Sequence, residues 1–156
     1  SVYESLTVFE NLEMSIPTAR GWFGAWTVRR TKEVVRRVEE IAERIYLKDR
    51  LEETAGVLSH GQKQWLEIGM LLIQNPELIM LDEPVAGMSV QEREQTAALL
   101  LELRKGRSLV VVEHDMEFVK RIADRVTVLH QGKWLSEGSM EHVAADPKVI
   151  EVYLGH

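Results

Sequence analysis

The sequence has no cysteine. That excludes a disulfide framework and any Cys-ligated zinc or iron–sulfur site, and it fits a reducing compartment. A basic excess is missing too: 19 Lys and Arg stand against 25 Asp and Glu, for a formal net charge of -6. A protein that wraps nucleic acid needs a basic face to displace counterions, so no nucleic-acid partner is expected. Long apolar runs are absent as well. Stretches such as Leu78-Ile79-Met80-Leu81 and Leu109-Val110-Val111-Val112 fall far short of the roughly 20 residues that span a bilayer. Glu4, Glu10 and Glu13 break up any apolar core of a signal peptide near the start. What is present is a 156-residue chain that is 45% hydrophobic, enough for one sizeable core but not for two large independent domains.

The first half reads as helices. Thr7 with Glu10 forms a capping-box start, and Val8, Leu12 and Ile16 recur at helical spacing until Pro17. A loop follows with Trp22, Phe23 and Trp26 set among Gly21 and Gly24, and then Val34, Val35, Val38, Ile41, Ala42 and Ile45 mark one face of an amphipathic helix over residues 31–47. Gly56 and Ser59-His60-Gly61 precede a further helix with Leu66, Gly69, Met70 and Ile73 along a buried stripe, ended by Asn75-Pro76.

Beyond Pro76 the period changes. Leu78 to Leu81 and Ser108 to Val112 are short apolar runs expected of strands buried on both faces of a parallel sheet. A helix over 89–103 between them makes a βαβ unit. Asp115 caps a helix through Ala123, and Val126 to His130 with Lys133 to Leu135 flank a Gln131-Gly132 turn suited to a hairpin. Ser139 and Asp146-Pro147 open two short terminal helices.

Three clusters can carry chemistry. The strand over 78–81 delivers Asp82 and Glu83 at its end, with Pro84 expected to hold Glu83 extended. One hard oxygen ligand for Mg²⁺ and one carboxylate to orient or deprotonate water is a working set; a strand stopping at an acidic turn uses the same residues. The next strand ends in Glu113-His114-Asp115, and in a right-handed βαβ unit both strand ends lie on the ligand-binding edge of the sheet. That is expected to bring His114 towards Asp82 and Glu83, although a histidine there also serves as a cap or surface residue. The third cluster is Leu58-Ser59-His60-Gly61-Gln62. Ser-x-x-Gln is a capping box in its own right, and the helix N-terminus it opens presents free N–H groups and a positive dipole end to a phosphate.

The order and spacing of these clusters resemble the ATP-binding subunits of ATP-binding cassette (ABC) transporters. Ser59-His60-Gly61-Gln62 matches the family's signature motif, Leu78 to Asp82 its Walker B strand, and Ala86-Gly87-Met88-Ser89 its D-loop. The resemblance implies an α/β fold: a helical signature subdomain over residues 1–75, followed over 76–156 by the C-terminal half of a P-loop NTPase (RecA-like), mainly parallel sheet. It implies Glu83 and His114 as catalytic residues, Asp82 as an Mg²⁺ ligand through water, and Ser59, His60, Gly61 and Gln62 as contacts to ATP held by a second, head-to-tail ATP-binding subunit. Further partners implied are transmembrane permease subunits, at the cytoplasmic face of the membrane. Segments such as Leu58 to Trp65 and the ending Val152-Tyr153-Leu154-Gly155 resemble branched-chain amino acid importers, and among them the urea and short-amide type.

Two residues depart from the family pattern: His60 replaces a signature glycine and Ser89 the D-loop aspartate, although Ser89 with Glu92 keeps the helix-start role. A P-loop, Gly-x-x-x-x-Gly-Lys-Ser/Thr, does not occur; the Gly-Lys pair at Gly132-Lys133 is followed by Trp134. By resemblance the chain begins just after the Q-loop. Expected consequences are that it neither binds ATP tightly nor hydrolyses it by itself, and that an unpaired sheet edge promotes self-association. Trp22, Phe23 and Trp26 either dock on the permease or cover the helix over 31–47. A non-transport ATPase of the same superfamily and a stand-alone interaction module are the competing readings.

Overall fold

The computed structural model describes residues 1–17 and 31–154. Trp22, Phe23 and Trp26, with both readings of them, lie outside the described residues. Two units divide the chain, Ser1–Val112 and Glu113–His156.

In the first unit, α1 (Val8–Met14), α2 (Lys32–Arg44) and α3 (His60–Leu72) pack through their apolar stripes. Each starts where its capping residue dictates. Thr7 and Ser59 form reciprocal capping boxes with Glu10 and Gln62, and Thr31 accepts the Val34 N–H. Helices α1 and α2 stop earlier than their apolar periodicity suggests, at Met14 and Arg44. Behind α2, Tyr46 takes a positive φ of 61° and turns the chain so that Leu47 is fully buried.

Val8, Leu12, Val38, Ala42, Ile45, Leu66 and Ile73 are fully buried. At Gly69 a Cβ would stand 2.5 Å from Ile45 Cδ1, 3.1 Å from Leu12 Cδ2 and 3.4 Å from Ile41 Cγ2. The three helices therefore approach one another at a residue without a side chain. Met70, expected on the same stripe, is half-buried. Arg37 of α2 donates to the Ile73 carbonyl at 2.5 Å, closing the C-terminus of α3.

After α3 the chain forms β1 (Leu78–Asp82), α4 (Val90–Leu103) and β2 (Ser108–Val112), with β1 and β2 parallel in the register Leu78 to Ser108 through Asp82 to Val112. One expectation needs correction. Among the described residues the strands are covered on one face, not two: Ile79 is 2% exposed, whereas Met80 and its partner Val110 are 67% and 44% exposed. Alternation along a strand sends Leu78, Met80, Val110 and Val112 to the opposite side from Ile79, and all four are exposed. Apolar composition on both sides of a strand specifies that both faces can be buried; which face is covered depends on the elements packed there.

In the second unit, Asp115 caps α5 (Met116–Ile122) by accepting the Phe118 N–H. Strands β3 (Val126–His130) and β4 (Lys133–Gly138) pair antiparallel, β4 running further than its apolar start suggests. Gln131 and Gly132 both have positive φ, 50° and 72°, as a two-residue type I′ turn requires. Helices α6 (Met140–Ala145) and α7 (Pro147–Val149) follow, and the Tyr153 hydroxyl donates to the Leu129 carbonyl at 2.6 Å. An ion pair joins Arg125 to Glu137.

Candidate functional site

Ser59 is the N-cap of α3. Its Oγ accepts the Gln62 N–H at 3.2 Å while Gln62 Oε1 accepts the Ser59 N–H at 3.0 Å. His60, Gly61 and Gln62 form the first turn at the positive end of the helix, where the Gln62 N–H is taken up by the Ser59 cap and Gly61 is buried. Ser89 caps α4 in the same way, with Glu92 as its reciprocal partner.

The two helix starts are joined. Glu92 Oε2 accepts the Ser89 N–H at 2.9 Å and the Ser89 hydroxyl at 2.8 Å, and Glu92 Oε1 accepts the Ser59 hydroxyl at 3.1 Å. The Ser89 N–H chiefly, then the Ser89 hydroxyl, hold the Glu92 carboxyl below the usual carboxylate range, helped by the Ser59 hydroxyl and the nearby His60 and opposed by partial burial. A Cβ on Gly61 would stand 2.6 Å from Glu92 Oε1, so the carboxylate occupies space that a larger residue would fill. At Gly87, whose φ is 68°, a Cβ would lie 3.5 Å from His60 Cδ2. The His60 ring thus sits beside the turn that leads to Ser89.

Deeper between α3 and α4, Trp65 Nε1 donates to Thr96 Oγ1 at 2.8 Å, and the Thr96 hydroxyl lies 2.8 Å from the Glu92 carbonyl and 3.3 Å from Met88 Sδ. Trp65 is 4% exposed and Thr96 fully buried. The bond therefore satisfies a polar edge that would otherwise be costly to bury.

Asp82 ends β1 with an exposed side chain, and Glu83, also exposed, follows. The Glu83 N–H donates to the Val112 carbonyl at 2.9 Å, extending the parallel pairing by one bond. Glu83 is not extended as the adjoining proline suggests: its φ is 45°. Pro84 disfavours the right-handed helical region for the residue before it, and the chain turns at the strand end through the left-handed region instead, a conformation costing an L-residue about 1–2 kcal/mol. The Ala86 N–H closes this turn on the Glu83 carbonyl at 3.1 Å. Pro84, Val85 and Met88 are buried beneath it. Among the described residues no three carboxylates or imidazoles converge as a metal cage; an Mg²⁺ held by one or two carboxylates together with phosphate oxygens needs none.

His114 lies in the second unit with its side chain 78% exposed. Next to it, Glu113 has a side chain only 1% exposed, whose Oε2 accepts the His114 N–H at 2.9 Å and the Asp115 N–H at 3.2 Å. Glu113 therefore shapes the backbone that presents His114. Its apolar neighbours Val111 and Val112 masked this role, since a glutamate after a strand reads as solvated.

A family model for ABC transporters matches residues 1–86. The chain belongs to the ABC transporter family. A second model, for branched-chain amino acid ATP-binding cassette transporters, matches residues 135–156 of this ABC chain. Among curated proteins it is 33% identical to the high-affinity branched-chain amino acid transport ATP-binding protein BraF of Pseudomonas aeruginosa, covering 97% of this chain and 61% of BraF. It is 34% identical to LivG of Escherichia coli, a protein of the same description, covering 99% of this chain and 62% of LivG. The chain thus spans about six tenths of the length of the curated relatives it matches. Among solved structures, an ATP-binding cassette of an ABC transporter in its ADP conformation superposes with a TM-score of 0.80 at 31% identity, covering 98% of this chain and 64% of that one. The α/β class with a parallel sheet is that of an ABC cassette.

Proposed function

We propose that this chain is part of the ATP-binding and ATP-hydrolysing subunit that powers an importer of branched-chain amino acids. The observation that carries the reading is the carboxylate pair Asp82-Glu83 at the end of β1, on a chain whose family match includes both the pair and the Ser59-capped start of α3. The names of BraF and LivG supply branched-chain amino acids as the transported class; the narrower urea and short-amide reading draws no support from them. Residues 1–75 serve as the helical signature subdomain and 76–156 as the C-terminal half of the catalytic one.

In this reading two subunits pair head to tail, and Ser59, His60, Gly61 and Gln62 of one face ATP held by the other. The first-turn N–H groups and dipole of α3 stabilise phosphate charge. Asp82 would hold Mg²⁺, which would supply neutralisation of phosphate charge when bound. Glu83 orients and deprotonates the attacking water, His114 donates to the γ-phosphate, and Ser89 starts the helix behind the D-loop. Permease subunits anchor the protein at the cytoplasmic face of the membrane; among the described residues no helix is long and apolar enough to cross it.

Glu83→Gln in the full-length protein is expected to lower ATP turnover by about 10²- to 10⁴-fold, the usual cost of losing a general base. A phosphate-release assay reads this, and unchanged turnover would sink the assignment. The same assay on the 156-residue chain alone is expected to give no turnover, because its sequence holds no P-loop to cradle the phosphates.

A further inference from the structure

The Ser59 hydroxyl has one proton to give. It is directed at Glu92 Oε1, 3.1 Å away, while the oxygen of the same hydroxyl accepts the Gln62 N–H. The other oxygen of Glu92 is committed to the Ser89 N–H and hydroxyl. One carboxylate thus spans the starts of α3 and α4, and Trp65 with Thr96 repeats the connection one turn deeper.

We propose that Glu92 is a positioning residue for the Ser59 hydroxyl, holding its proton toward the start of α4 until a nucleotide phosphate takes it. This rests on the ATPase reading above. A phosphate oxygen and the Glu92 carboxylate are both anionic acceptors, and a short, linear bond to one draws the single hydroxyl hydrogen away from the other. Their like charges also repel at this range. Nucleotide arriving at α3 therefore turns Ser59 away from Glu92, and the D-loop helix loses one of its ties at that moment. The departure of Ser89 from the family's aspartate fits this arrangement: an aspartate there would set a second carboxylate against Glu92, whereas serine donates to it.

Glu92→Gln keeps the shape and an accepting oxygen but removes the charge that competes with phosphate. Charge-assisted bonds are roughly twice as strong as neutral ones, so the KM for Mg-ATP of the full-length protein is expected to fall about three- to tenfold. In a Ser59→Ala background the same substitution is expected to leave KM unchanged, which a general charge effect would not do. A KM that does not respond to Glu92→Gln, or responds equally without the Ser59 hydroxyl, would overturn the proposal.

Amide hydrogen exchange on the chain itself supplies an arm that needs no turnover. Glu92→Ala is expected to speed exchange several-fold at Ser89 and Gln62 while core amides of α3 hold theirs; unaltered exchange at both sites would also overturn it. Absence of turnover in the unmodified full-length protein would instead sink the ATPase reading, and exchange would still decide whether Glu92 ties the two helix starts.

Discussion

Glu83 combines a functional assignment with an unfavourable backbone. Its φ of 45° lies where glycine is at home and glutamate is not. Such strain persists when the surroundings over-determine it, and here the Val112 carbonyl, the Ala86 N–H and buried Pro84 fix the turn from three sides. Glu83→Gly relieves that backbone by about 1 kcal/mol, the left-handed cost less the extra chain entropy of glycine, so a gain against urea is expected wherever the carboxylate's own interactions amount to less than this. Loss of stability on this substitution would mean that the carboxylate contributes more to the fold than its backbone costs. The turn was not legible in the sequence, because Pro84 says which region Glu83 avoids and not which it enters.

At the scale of elements, what could be read was what is local. Thr7 with Glu10, Ser59 with Gln62 and Ser89 with Glu92 each span three residues, and all three boxes form. The bond from Ser59 to Glu92 spans 33 residues, and no periodicity encodes it. The same holds for the uncovered face of β1, which depends on distant parts of the fold. The tie at Glu92 has a pH signature. Its carboxyl is held low by the Ser89 N–H and hydroxyl, with Ser59 and His60 adding to them, so its folded pKa lies below its unfolded one. The contribution is fully present above the unfolded value and is lost as pH falls through the folded one. Urea midpoints of the wild type and of Glu92→Gln, compared across pH, are expected to differ by a constant amount near neutrality. The wild type should lose ground in acid, below the ordinary carboxylate value. A difference that stays flat down to strongly acid pH would show that Glu92 makes no such bonds in solution.

For the molecule as a whole, the sheet face that the described residues leave uncovered is the feature with the broadest consequence. Parallel strands are ordinarily covered on both sides, yet Leu78, Met80, Val110 and Val112 are 51%, 67%, 44% and 58% exposed on one face of β1 and β2. The sheet they form has two strands among the described residues, so its outer edges offer unpaired N–H and C=O groups as well. An apolar face beside open edges favours association with another copy, by edge pairing or by stacking of faces. The chain is expected to sediment as concentration-dependent oligomers. Met80→Lys places a charge in the middle of that face, opposite Val110. Because Met80 is mostly solvated already, the change should alter stability by no more than about 0.5 kcal/mol while shifting the distribution toward monomer. Sedimentation velocity separates the outcomes: a chain that is monomeric at every concentration removes the self-association reading. Oligomers indifferent to Met80→Lys move the contact away from this face.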